Sequence, residues 1–140
     1  MKYLWLLLTL VFTGIIFYNS SLDMGASSFL SASAADFWQS VLTALHMNAP
    51  DNLEKILRKM AHFSSFAFLC WLWCRTFAAF HTSGRFACGY VMFFCLLTAV
   101  VDEYVQLFAA GRSGRLTDVL LDFSGALCMW LWLQMWSWKK

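Results

Sequence analysis

The chain has 140 residues, 61% of them hydrophobic and 13% charged, with a mean hydropathy of +0.61 and a formal net charge of +2. A soluble domain is about 45–50% apolar and about 25% charged, and a chain this short lacks the volume to hide so many apolar side chains around one aqueous core. The composition excludes an ordinary soluble domain and makes lipid the expected solvent, while the small, dispersed positive charge excludes a nucleic-acid partner.

The first apolar segment covers about residues 3–18, directly after Lys2. A bilayer crossing needs about 20 residues, so this segment is short and local thinning of the lipid would accommodate it. Lys2, the apolar run and Ala32-Ser33-Ala34 together have the parts of a cleavable leader. The gap from run to tripeptide is too long for one, so an uncleaved helix is expected. Residues 19–55 form the one long polar stretch, rich in Ser and Ala, with the single proline at Pro50. Within it, "FWQSVLTAL" at 37–45 suits a short helix lying in the membrane interface.

Three further apolar segments follow at about 56–80, 86–108 and 116–138. In lipid each must be helical, because unpaired backbone groups have no water to bond. Tyr3 and Trp5 flank the first segment, and Trp130, Trp132, Trp136 and Trp138 load the end of the last, as in an interfacial aromatic belt. The expected fold is therefore all-α: a single polytopic membrane domain over 1–140, built as a four-transmembrane-helix bundle. The five cysteines, Cys70, Cys74, Cys88, Cys95 and Cys128, all lie inside apolar runs. They show neither a disulfide framework nor zinc spacing. Cys70 and Cys74 share a helix face, but no His or carboxylate accompanies them, so they read as packing residues.

Up-and-down helices leave the positive charges divided. Lys2, Arg75, Arg85, Lys139 and Lys140 fall on one side, and Lys55, Arg58, Lys59, Arg112 and Arg115 on the other. Lys2 precedes the first helix, and only the acids Asp23 and Asp36 lie near its far end, which favours both termini in the cytoplasm.

The same topology makes a prediction that holds for either orientation. The start of the second segment, the end of the third and the start of the fourth share one membrane face. Lys55, Arg58, Lys59 and His62 then meet Asp102, Glu103 and Gln106, followed by Arg112 and Arg115, then Asp118 and Asp122. Helical spacing aligns Lys55, Lys59 and His62 in one stripe, Asp102 with Gln106 in another, and Asp118, Asp122 and Gly125 in a third. Gly125 would admit a neighbouring helix beside the second aspartate. Lys59 and Arg58 at a helix N-terminus, and Asp102 and Glu103 at a C-terminal end, are each disfavoured by the helix dipole. Pairing across helices would relieve both. Gly111 and Gly114 suit the turn "AAGRSGR" to a tight loop whose N–H groups could hold an anion.

"LRKMAHFSSFAFL" and "DEYVQLFAAGRSGRLTDVLLDFSGAL" resemble the VanZ-like family of small bacterial membrane proteins. The resemblance covers about residues 53–130. It is carried by Lys59 and His62, then Asp102-Glu103 with Gln106, Gly111-Arg112, Asp118 and Gly125-Ala126, in that order and spacing. The chain departs from the family at Ala110, where a proline often precedes Gly-Arg, and at Asp122, where asparagine is frequent. The family's founding member is linked to resistance to the glycopeptide antibiotic teicoplanin. The resemblance thus implies a bacterial inner-membrane protein tied to the cell envelope, and leaves its chemistry open.

Two functions compete. In the first, the face binds an anionic lipid headgroup or lipid-linked envelope precursor through Lys59, His62, Asp102, Glu103, Gln106, Arg112 and Asp118. Lys59, Arg112 and Arg115 supply phosphate donors. His62, Asp102, Glu103 and Asp118 are the acid–base candidates. In an enzymatic form, His62 or Asp118 would be the base, with Arg112 stabilising phosphoryl charge. Ser64 and Ser65 lack a serine-hydrolase context, and no catalytic set is complete, so binding is expected over catalysis. Carboxylates from separate helices are of the type that holds Mg²⁺ or Ca²⁺ beside a phosphate, but no metal-ligand set is assigned. In the second function the charges fasten a non-enzymatic bundle that docks a membrane-protein partner. Ion transport is disfavoured, since neither a repeat nor a pair of broken helices is evident.

Overall fold

The computed structural model describes residues 1–22, 35–41, 43–44, 50, 52–82, 85–110 and 114–137. Among these, all regular structure is helical. The long helices are α1 (Lys2–Ser21), α3 (Leu53–Ala79), α4 (Arg85–Gln106) and α5 (Leu116–Ser137). A short α2 has described helical residues 35–41 and 43–44. It falls where an interfacial helix was expected, and its Phe37 and Trp38 are exposed. The last residue of that expected stretch, Leu45, lies outside the described residues.

Three helices are long and apolar enough to cross a bilayer: Lys2–Ser21, Ala87–Gln106 and Leu116–Met135. The chain is thus a multi-pass helical membrane protein. α1 is longer than the sequence pattern suggested, at 20 residues. A rise of about 1.5 Å per residue carries it across a core of about 30 Å with no thinning. Its helix continues through Asn19, Ser20 and Ser21 because Ser20 is buried in the bundle and Ser21 Oγ donates to the Tyr18 carbonyl at 2.7 Å. α3, the fourth expected span, does not meet the same standard of apolarity. Its first two turns carry Glu54, Lys55, Arg58 and Lys59, and Arg75 follows near its other end.

α3 is nevertheless the centre of the bundle. It packs against α1, α4 and α5, most extensively against α5. Its buried stripe of Phe66, Leu69, Cys70, Trp73 and Thr76 recurs at helical spacing. α4 answers with Val91, Cys95, Thr98 and Ala99, and α5 with Val119 and Ala126. Trp73 stacks on Phe94 with ring centroids 4.6 Å apart, and Phe12 of α1 meets Phe68 edge-on at 4.9 Å. The opposite faces present Leu7, Val11 and Ile15, Phe93, Leu96 and Val100, and Leu120, Leu127 and Leu131 outward. Lipid is the solvent that makes such a surface stable.

Cross-helix contacts fix the direction of each element. Tyr3, Thr9 and Phe12 of α1 meet Phe80, Thr76 and Phe68 in turn, with the two threonine hydroxyls hydrogen-bonded at 2.8 Å, so α1 and α3 run antiparallel. At the same end, Trp5 packs edge-on against Trp71 at 5.7 Å, and the Arg75 guanidinium lies 5.0 Å from the Trp5 ring centroid. α3 stops in a left-handed cap. His81 has φ +58, its N–H reaches the Ala78 carbonyl, and the Thr82 N–H reaches that of Phe77. The cysteines are free, with Cys70 and Cys95 buried in the core, as packing residues would be.

A buried polar cluster at one end of the bundle

The end of α1, the start of α3, the end of α4 and the start of α5 lie together. The stripes that are apolar at mid-bundle become polar here. On α4, Val91, Cys95, Ala99, Asp102 and Gln106 are all buried along one face, so the inward direction of Asp102 is set by the packing of the turns before it. On α5 the same holds for Val119, Asp122 and Ala126. On α3, His62 sits one turn before the buried Phe66.

The approach of α3 to α5 places these groups. A Cβ built on Gly125 would collide with the Phe63 carbonyl. Only glycine allows the two backbones to come that close, and the expectation that Gly125 admits a neighbouring helix is met by Phe63. One residue before Phe63, His62 Nδ1 lies 3.4 Å from Asp122 Oδ1 and 3.9 Å from Asp102 Oδ2. Gln106 Nε2 donates to Asp102 Oδ2 at 3.0 Å, joining the pair whose spacing put them on one face. Glu103 is turned toward the start of α5, where its Oε1 accepts from the Arg115 backbone N–H at 2.5 Å. Gly114 supports that turn by packing against Leu107 and the Glu103 carbonyl.

Both aspartates are fully buried, while His62 keeps 26% of its side chain exposed at the mouth of the cluster. Asp102 Oδ1, Glu103 Oε2 and both oxygens of Asp122 are buried and accept no hydrogen bond from a described residue. The described lysines and arginines do not compensate them. Arg58 closes on Glu54 in its own helix at 2.8 Å. Lys55, Lys59 and the Arg115 side chain are exposed.

The expected pairing of Lys59 with Asp102 or Glu103 across helices is therefore not formed. Of the stripe Lys55, Lys59 and His62, only His62 turns inward. Lys55 and Lys59 lie nearer the helix start, where the ammonium groups reach water at far lower cost than burial against a carboxylate. Asp118 is half-buried in the first turn of α5, a position the helix dipole favours, and stays outside the His62–Asp102–Asp122 group. Arg112 and Gly111 lie outside the described residues. The sequence reading missed one participant, Ser20. It is buried at the end of α1 and its side chain reaches Asp102. The stripe Thr9, Ile16 and Ser20 at i, i+7, i+11 carried that signal.

These features define a class: a multi-pass helical membrane protein with an acidic cluster enclosed by its long helices. The family can also be given. The VanZ/LLP1 family model matches residues 4–137, nearly the whole chain, and the protein belongs to that family. No curated protein and no solved structure matches the chain.

Proposed function

We propose that this end of the bundle binds the phosphorylated headgroup of an anionic lipid or lipid-linked envelope precursor. It would do so on the extracytoplasmic side of the bacterial inner membrane, with both termini in the cytoplasm. One observation carries the reading: a bundle whose other buried side chains are apolar or small hydroxyls encloses His62, Asp102, Glu103, Gln106 and Asp122, with carboxylate oxygens that accept no hydrogen bond from a described residue. Ionisable groups at membrane depth are costly, about 2.5–3.5 kcal/mol each on insertion scales, and are kept where a ligand or pathway uses them.

The geometry divides the work. Buried carboxylates repel a phosphate, so the phosphate is assigned to the exposed Lys59 and Arg115, together with Arg112. The inner oxygens suit hydroxyl and amide donors of the remaining headgroup. Such a role fits the family's link to glycopeptide resistance, since those drugs act at the envelope. Native mass spectrometry of the detergent-solubilised chain tests it. Lys59→Ala and Arg112→Ala should each lower the fraction of protein carrying a phospholipid or precursor several-fold. Equal occupancy in wild type and both variants would overturn the anion site.

A second reading makes the cluster a fold-holding network. It draws on the Gln106–Asp102 bond and on Ser20 and His62, which tie α1 and α3 to the same aspartate. It predicts that Asp102→Ala and Asp122→Ala lose stability in detergent to the same degree as they lose function.

A further inference from the structure

We propose that His62, Asp102 and Asp122 form a binding site for a divalent transition-metal ion, of the zinc or manganese type, where α3, α4 and α5 meet.

The first argument is geometric. One ligand atom from each residue lies within 4.8 Å of the other two, and the His62 Nδ1 to Asp122 Oδ1 distance is 3.4 Å. Around a tetrahedral ion with bonds of about 2.0–2.1 Å, neighbouring ligand atoms sit about 3.3–3.4 Å apart. That pair already has the required spacing, and a small rotation of Asp102 brings in the third donor. The supporting elements are helices rather than loops, and the Phe63–Gly125 approach holds two of them in place.

The second argument is the state of the buried atoms. Asp122 has no side-chain exposure and neither oxygen accepts a hydrogen bond from a described residue; Asp102 Oδ1 is in the same condition. Open acceptors in an apolar surround are costly, and a cation is the partner that satisfies several at once. Gln106 holds the other Asp102 oxygen, as an outer partner orients a ligating carboxylate.

Charge and donor type then choose the ion. A ligating histidine is neutral, so Asp102 and Asp122 contribute a charge of about −2 that a divalent ion cancels. Such cancellation is decisive at membrane depth, where net charge is expensive. One imidazole nitrogen with two carboxylate oxygens suits Zn²⁺ or Mn²⁺ better than Mg²⁺ or Ca²⁺, which take oxygen donors. The partly exposed imidazole at the mouth of the cluster gives an ion its entry path.

The site stands apart from the headgroup reading. Lys59 is exposed and is not one of the three ligands, so Lys59→Ala should lower lipid occupancy and leave metal binding unchanged. The test uses the full chain in detergent, stripped with chelator and dialysed against Zn²⁺ or Mn²⁺. Metal content, calorimetric titration and thermal midpoint are then measured. Expected are a single ion per chain and a raised midpoint, with binding weakened in His62→Gln and Asp122→Asn by more than the roughly 100-fold upper range for loss of an outer partner. Wild-type protein that retains neither ion, with an unmoved midpoint, would overturn the site. So would equal metal affinity in wild type and His62→Gln, a variant at a partly exposed position that should fold even where Asp122→Asn does not.

Discussion

The two ends of the bundle solve the same packing problem in opposite ways. At the end holding the start of α1 and the end of α3, polar side chains come in settled pairs. Thr9 and Thr76 satisfy each other at 2.8 Å, and the Thr9 hydroxyl also donates to the Trp5 carbonyl at 2.8 Å. Stacked rings of Trp73, Phe77, Tyr90 and Phe94 fill the space between α3 and α4, and among the buried side-chain groups of the described residues at this end only the Trp73 indole nitrogen lacks a hydrogen-bond partner. At the other end, four buried carboxylate oxygens accept no hydrogen bond from a described residue. Stability accounts for the first arrangement. It does not account for the second, because an apolar side chain at Asp122 would hold the helices at least as well. On the proposed reading, function belongs to the acidic end and scaffolding to the aromatic one.

The harshest way to break this contrast is to force α3 and α5 apart. Gly125→Val places a side chain where the Phe63 backbone already lies, and a backbone cannot rotate away as a flexible side chain can. The expected cost is about 3 kcal/mol, the upper part of the range for overpacking. Chemical or thermal unfolding in detergent measures it. A stability within error of wild type would mean that the close approach does not exist, and the distances at the cluster would fall with it.

A gentler change sharpens the contrast. Asp122→Asn removes a buried carboxylate that no described Lys or Arg approaches and whose oxygens accept no hydrogen bond from a described residue, with only the His62 imidazole nearby at 3.4 Å. In chelator-treated protein it should raise stability by about 1–2 kcal/mol, the scale of an unsatisfied buried group. In metal-loaded protein the sign should reverse, because the variant forgoes the stabilisation of a bound ion. A fold-holding network predicts loss under both conditions. The crossing of the two unfolding curves therefore separates a functional cluster from a structural one.

Much of this architecture could be read from residue order alone. The four long helices fall within a few residues of the apolar segments. The Asp102–Gln106 bond and the glycine contact follow from spacings of four and from the lack of a side chain at 125. The errors share one cause, which is that periodicity gives direction around a helix and says little about depth along it. Lys59 and His62 lie on one stripe, yet one turn of depth leaves the lysine in water and the imidazole between aspartates. Ser20 was lost for the same reason: three polar residues closing α1 look like a loop until a neighbouring carboxylate gives them a place. α3 shows the converse. Its charges and tryptophans make it less apolar than the other three long helices, although all three pack against it, α5 most extensively.

The smallest expected effect checks the aromatic end. If the Thr9–Thr76 pair is scaffolding only, Thr76→Val should cost about 0.6 kcal/mol, the average for an interhelical hydrogen bond in a membrane protein. Its methyl groups keep the buried volume, and the Thr9 hydroxyl retains the Trp5 carbonyl at 2.8 Å, so no donor is stranded. Metal affinity and lipid occupancy should be those of wild type, because the substitution lies in the last turn of α3, far along the helix from His62. A tenfold loss of either at unchanged stability would show that the two ends are coupled through α3. The acidic cluster would then depend on where that helix sits along its axis as well as on which face it presents.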